Sequence, residues 1–249
     1  MTSKPTPILL IPGAWMGAWI WDDTVERLHE AGCPARTLTL SGLASGASAG
    51  DLGGIRLADH VAEALDAVRA LGEPLTIAGH SYSGLIAGMV ADQAPERVVH
   101  TVIIAGFYPR DGRSLLDDWS ADAGERAAER AAIEQAGMLW APPPAGGLDA
   151  DPGLDSAQAR WLGRRLRPHP GRTVLDPASM QRSITEQSVT VVAAGDPRAT
   201  LPEDLAGTMT SDWSFRSIPE GHWPMLSHST ELLEILVDAA TTATSRRDR

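Results

Sequence analysis

Glu73–Ala91, EPLTIAGHSYSGLIAGMVA, is the stretch whose reading decides the fold. It opens with an apolar run, Pro74–Gly79, of strand length. It continues after Ser81 into a run of small and apolar residues in which Leu85, Met89 and Val90 recur at helical spacing. A serine between a buried strand and a helix occupies a sharp turn that lifts its hydroxyl to the carboxyl edge of a parallel sheet. Small neighbours are required there, because the helix returns close to the strand. Gly79 stands two residues before the serine; two residues after it stands Ser83, with Gly84 next, so the usual G-x-S-x-G becomes G-x-S-x-S-G. The competing reading is a serine that only caps the helix. Residues elsewhere in the chain must discriminate between the two.

Working outward, short apolar runs alternate with helical patterns. Ile8–Ile11, Ala35–Leu40, Val98–Gly106, Ser188–Gly195 and Ser214–Pro219 read as further strands, several of them β-branched on consecutive positions as in strands covered on both faces. Ile55, Ala58, Val61, Leu65 and Val68 form one stripe of an amphipathic helix, and Leu232, Leu233, Leu236 and Val237 form a closing helix. This alternation predicts an α/β fold, a mostly parallel twisted sheet with helices on both faces. From Phe107 to about Arg172 no strand is expected. An Ala/Glu/Arg helical pattern, APPPAGG and a second helical piece near Trp161–Leu166 predict an inserted helical cap over residues 107–172, with residues 1–106 and 173–249 forming the core. The Gly/Ser-rich Ser41–Gly54 reads as a mobile loop and the tail TSRRDR as frayed.

A serine hydroxyl needs a base. Of seven histidines, His222 lies just after the last expected strand, where a loop places a side chain over the same sheet edge as Ser81. His228 is the competitor; His29, His60 and His100 fall inside expected helices or a strand and read as surface or satisfied core residues. Asp196 ends the strand at Ser188–Gly195 and is the candidate acid; its other reading is an ordinary Asp-Pro turn, and Asp111 stands in reserve. An oxyanion site needs backbone amides aimed at the developing charge. Tyr82, directly after the serine, and Ala14, in the loop after the first strand, are the candidate donors.

Composition narrows the function classes. The net charge is −11 and the sequence pI about 5.0, which repels nucleic acid. Cys33 is the lone cysteine, so neither a disulfide framework nor a cysteine metal site is expected. No apolar run approaches the ~20 residues of a membrane helix, and a cytoplasmic protein without metal or organic cofactor is expected. The partner expected is a small-molecule substrate; a homo-oligomer is compatible with the sequence. The glycines between Gly42 and Gly54 fit neither nucleotide-binding spacing. Eight tryptophans, against two tyrosines and two phenylalanines, suggest an aromatic pocket. Trp15 near the oxyanion loop, Trp119, Trp140 and Trp161 in the insertion and Trp223 beside His222 are its candidate walls, and they suit a bulky apolar or aromatic substrate. Trp19 and Trp21 read as packing for the first helix.

These residues together resemble the α/β-hydrolase superfamily over nearly the whole chain. The opening ILLIPGAWMGAWIWDDTVERLHEAGCPARTLTLSG and the end EGHWPMLSHSTELLEIL are similar to the plant methyl esterase and hydroxynitrile lyase branch. The order Ser81…Asp196…His222 is also the order of that superfamily. The resemblance implies Ser81 as nucleophile, His222 as base, Asp196 as acid, and Ala14 and Tyr82 as oxyanion donors. Three departures stand out: Pro12 replaces the family's histidine, Gly13 replaces a threonine of the lyases, and Trp223 replaces their lysine. The last two argue against cyanohydrin cleavage. The expectation is a serine hydrolase cleaving an ester or thioester through an acyl-enzyme. The alternatives are a cofactor-free lyase or cyclase on the same triad, and a ligand-binding receptor of the same fold.

Overall fold

The computed structural model describes residues 4–46 and 52–247. Six strands form one parallel sheet: β1 (Ile8–Ile11), β2 (Ala35–Thr37), β3 (Leu75–His80), β4 (Val98–Ile104), β7 (Val189–Ala194) and β8 (Trp213–Ile218), in the order β2-β1-β3-β4-β7-β8. Between them run α1 (Asp22–Glu30), α2 (Leu57–Leu71) and α3 (Ser83–Gln93), and α10 (Ser229–Arg247) closes the chain. β1 and β3 are buried at every position, as expected of strands covered on both faces, and β3 carries Thr76 and His80 inside as well as apolar residues. Of the expected stripe, Val61, Leu65 and Val68 are buried on α2, joined there by Leu57 and Ala64, whereas Ala58 is exposed and Ile55 lies before the helix. The helix pairs α1–α10 and α2–α3 flank the sheet.

All six expected strands form. β2 stops at Thr37, three residues short of the apolar pattern, and Leu38 makes one last amide bond to the Leu10 carbonyl. α10 continues to Arg247, so most of the tail expected to fray extends the helix. Residues 47–51 of the Gly/Ser-rich stretch, expected to be mobile, lie outside the described residues, as do the first three and last two of the chain.

The segment between β4 and β7 carries α4 (Ala123–Gln135), α5 (Ala145–Asp149), α6 (Ser156–Gly163) and α7 (Arg172–Leu175). Contrary to expectation it also holds two short strands, β5 (Leu139–Trp140) and β6 (His169–Pro170), which pair antiparallel. Strands of two residues leave no readable alternation in sequence, and β6 contains a proline. Two further short helices, α8 (Glu203–Ala206) and α9 (Pro224–Ser227), complete the fold.

Candidate active site

β3 ends at His80, and Ser81 takes a left-handed backbone, φ 51°, costly for a residue with a side chain. Its neighbours over-determine that conformation. The Ser81 amide donates to the Ile104 carbonyl at the end of β4 (2.9 Å). The Ser81 carbonyl accepts from Gly84 (3.0 Å) and Phe107 (3.1 Å). A Cβ on Gly79 would stand 2.0 Å from the Ser83 carbonyl oxygen, and one on Gly84 would stand 2.4 Å from the Phe107 carbonyl oxygen. The two close approaches therefore fall at positions −2 and +3 from the serine. Position +2 is free for Ser83, whose hydroxyl donates to the Pro12 carbonyl (2.5 Å) and ties the elbow to the loop after β1. The departure from the usual motif thus has a local explanation.

His222 lies in the loop between β8 and α9, and its Nε2 is 3.0 Å from Ser81 Oγ. With the hydroxyl donating, the imidazole is the acceptor and Ser81 is 7% exposed, out of bulk water. Burial holds the His222 pKa below the ordinary value, while the charge of Asp151 pulls it back up. Burial therefore favours the neutral imidazole, the form able to accept a proton. His80, directly before Ser81, donates from Nε2 to the His222 carbonyl (2.7 Å) and braces the base loop. Burial and the neighbouring His222 push His80 down to about 3. The G-H-S sequence displayed His80 openly, but nothing in it revealed a carbonyl 142 positions away in the chain as its partner.

Asp196 does not join them. It follows β7 as expected, but it is exposed and its Oδ1 accepts the Arg198 amide (3.0 Å), capping the short 3-10 turn Pro197–Thr200. Buried Pro197 anchors that turn, so the carboxylate is satisfied locally and nothing draws it inward. The Asp-Pro turn reading prevails. Asp111 is also engaged elsewhere, accepting the Met180 amide (3.0 Å). Among the described residues no carboxylate hydrogen-bonds the His222 imidazole. One carboxylate that no sequence motif singled out does meet this residue: Asp151, whose Oδ2 accepts the backbone amide of His222 (2.9 Å).

The loop after β1 brings Ala14 and Trp15, both buried, beside the elbow. A Cβ on the adjacent Gly13 would lie 2.7 Å from His80 Nδ1 and 3.0 Å from the Ser81 Cβ, so the loop passes close against the elbow at this point. Trp15 has φ 66°, and its amide donates to His169 Nδ1 (3.3 Å). Burial and the neighbouring His60 hold His169 far below its ordinary pKa. Tyr82 is fully buried, and its hydroxyl meets His60 Nδ1 (2.9 Å). His60 is thus the satisfied core histidine expected. His222 meets the buried Trp223 edge-on at 5.0 Å.

Three of the remaining tryptophans form a connected set. Trp15 and Trp140 lie 4.2 Å apart between ring centroids, Trp140 meets Trp119 edge-on at 5.1 Å, and Trp119 stacks on Phe107 at 6.4 Å. The Trp15 indole donates to the Trp140 carbonyl (3.1 Å) and the Trp140 indole to Glu129 (2.5 Å). Trp15, Trp119, Ile133, Leu139, Trp140 and Pro142–Pro144 wall a cavity of about 400 Å³. Trp119 is 39% exposed, a large apolar face presented to solvent at its rim. Trp161 packs edge-on against Trp19 instead, and Trp21 is in the core. Among the described residues no set of three His, Cys, Asp or Glu side chains is arranged to hold a metal ion, and no helix is long and apolar enough to cross a membrane.

The sequence profile of the alpha/beta hydrolase family matches residues 8–235. The chain belongs to the alpha/beta hydrolase family. Within this family it is similar to a carbendazim hydrolyzing esterase of Nocardioides sp., 32% identical over 111 residues, which are 43% of this chain and 45% of that protein. It is 30% identical over 118 residues to esterase PIR7B of Oryza sativa subsp. japonica, covering 46% of this chain and 43% of that one. It is 28% identical over 120 residues to putative methylesterase 11, chloroplastic, of Arabidopsis thaliana, covering 47% and 30%. The matches thus span less than half the length of these relatives. An extracellular α/β-hydrolase from a Paenibacillus species, described as homologous to tobacco salicylic acid binding protein 2, superposes with a TM-score of 0.76 at 19% identity. The alignment covers 95% of this chain and 99% of that one. Polyneuridine aldehyde esterase superposes at 0.71 with 16% identity over 94% and 98%. At such identities these structures speak for the shared fold.

Proposed function

We propose that this hydrolase cleaves carboxylic esters or thioesters through an acyl-enzyme on Ser81. The observation that carries the reading is the 3.0 Å contact between Ser81 Oγ and His222 Nε2, made from a strained turn that neighbouring strands hold in place. The partial similarity to proteins named esterase and methylesterase supports the same reaction class. As Ser81 attacks the carbonyl carbon, its proton passes to His222 Nε2, and the new oxyanion is received by the Ala14 and Tyr82 amides. Each such donor is worth roughly 3 kcal/mol of barrier. His222 then returns the proton to the leaving alcohol or thiol, and water repeats the sequence to free the acid.

In this reading residues 107–172 act as a cap, and the tryptophan-walled cavity of about 400 Å³ receives a bulky apolar or aromatic group of the substrate. Ser81→Ala is expected to remove hydrolysis of p-nitrophenyl butyrate by at least a factor of about 10⁴, with an unchanged melting temperature. It should also abolish labelling by a fluorophosphonate. Near-normal turnover in that variant ends the proposal.

A further inference from the structure

The base lacks its expected acid, while one carboxylate from a different part of the fold reaches it. Asp151 lies between α5 and α6, in the segment inserted between β4 and β7. Its Oδ2 accepts the His222 amide (2.9 Å) and its Oδ1 accepts the Gly153 amide (2.9 Å). Among the described residues no cation pairs with it, so its negative charge is left to act on the histidine. The contact around it is built backbone to backbone. A Cβ on Gly153 would stand 2.8 Å from Gly221 Cα and 3.0 Å from the Glu220 carbonyl oxygen; one on Gly221, φ 87°, would stand 2.7 Å from Gly153 Cα. Gln158 adds a side-chain bond to the Leu226 carbonyl (2.8 Å) on the far side of His222. The insertion thus holds the chain on both sides of His222, in its loop at Gly221 and in α9 at Leu226.

The geometry points to Asp151 as the positioning residue of the His222 base, a carboxylate supplied by the insertion in place of one from the turn after β7. This rests on the hydrolase reading above. Besides Asp151, the groups facing His222 are His80 and Ser81 from the end of β3, both uncharged, and Trp223 beside it. Glu220, in the same loop, is exposed to solvent. When Ser81 gives up its proton the imidazole becomes cationic, and Asp151 is the anion placed to favour that state. Removing its charge disfavours the imidazolium. It therefore lowers the pH at which His222 gains a proton and weakens the base.

Asp151→Asn tests this, because an asparagine oxygen still accepts the His222 amide while the charge is gone. With p-nitrophenyl butyrate, kcat is expected to fall at least tenfold with KM within twofold, and the acid limb of kcat/KM to move to lower pH. Asp151→Glu should bring the limb back toward the parent. Asp196→Asn is expected to leave both unchanged. An anchoring role alone would leave the Asn variant at the parental rate and limb, and that result overturns the inference. So does a loss that follows Asp196→Asn instead. Should Asp151→Asn fail to fold, Asp151→Ser is read against the same limb. Ser81→Ala in the same assay separates the two proposals: if it retains activity the hydrolase reading fails, whereas a silent Ser81→Ala with an unaffected Asp151→Asn removes only this one.

Discussion

The elbow at Ser81 and the corner where Asp151 meets His222 are both backbone contacts that admit only glycine, yet they are held in different ways. At the elbow, Gly79 and Gly84 let α3 return onto β3 and the end of β4, elements that are adjacent in the sheet and short in sequence separation. At the corner, Gly153 and Gly221 bring together two loops from opposite ends of the second half of the chain, with no strand pairing between them. The difference teaches that Ser81 is fixed by the core itself, whereas the loop of His222 is held against the segment between β4 and β7.

Substitution of the elbow glycines should therefore be strongly destabilising. Gly79→Ala places a methyl 2.0 Å from the Ser83 carbonyl oxygen, a backbone atom that no rotamer change can move aside. Overpacking of this kind is expected to cost about 3 kcal/mol or more, read as a shift in the urea midpoint. A cost below about 1 kcal/mol would break the comparison, since the elbow would then be as yielding as a loop.

Acid should act on the same side. Folded His80 titrates at about 3 while its unfolded value is 6.5, so below pH 6.5 the unfolded chain takes up a proton that the native state refuses. Stability is then lost as pH falls from 6.5 toward 3, at up to roughly 1.4 kcal/mol per pH unit. His169, also buried and held well below its ordinary value, adds loss of the same sign. Urea midpoints between pH 7 and 5 should fall accordingly; a flat profile would mean these histidines are not kept neutral by burial.

The smallest effect is expected at the corner. Gly221→Ala meets Gly153 Cα at 2.7 Å and must also hold φ 87°, so the two loops separate slightly. Turnover is expected to fall roughly tenfold, about 1.4 kcal/mol of barrier, with a change in melting temperature of only a few degrees. Loss of the whole fold in this variant would erase the distinction between the two regions.

Legibility in the sequence follows the same division. The strand runs, three of the five stripe positions on α2 and the serine between strand and helix could be read directly, because burial on both faces of a parallel sheet favours apolar runs. His222 could be located from its place after the last strand. Asp196 could not be assigned correctly from position alone. It follows β7 as expected, but the local amide of Arg198 takes its carboxylate. Trp15, Trp119 and Trp140 were readable as an aromatic set, whereas their meeting across the insertion was not.

By itself, the sequence determined the parallel sheet, its helices and the two ends of the Ser81–His222 pair, since those follow from periodicity and from turns that only small residues permit. Only the tertiary structure decided which carboxylate meets His222 and which tryptophans come together. Asp151 and His222 are 71 positions apart and joined by a single amide contact. Such a contact depends on the docking of whole segments, and no local pattern of residues encodes it.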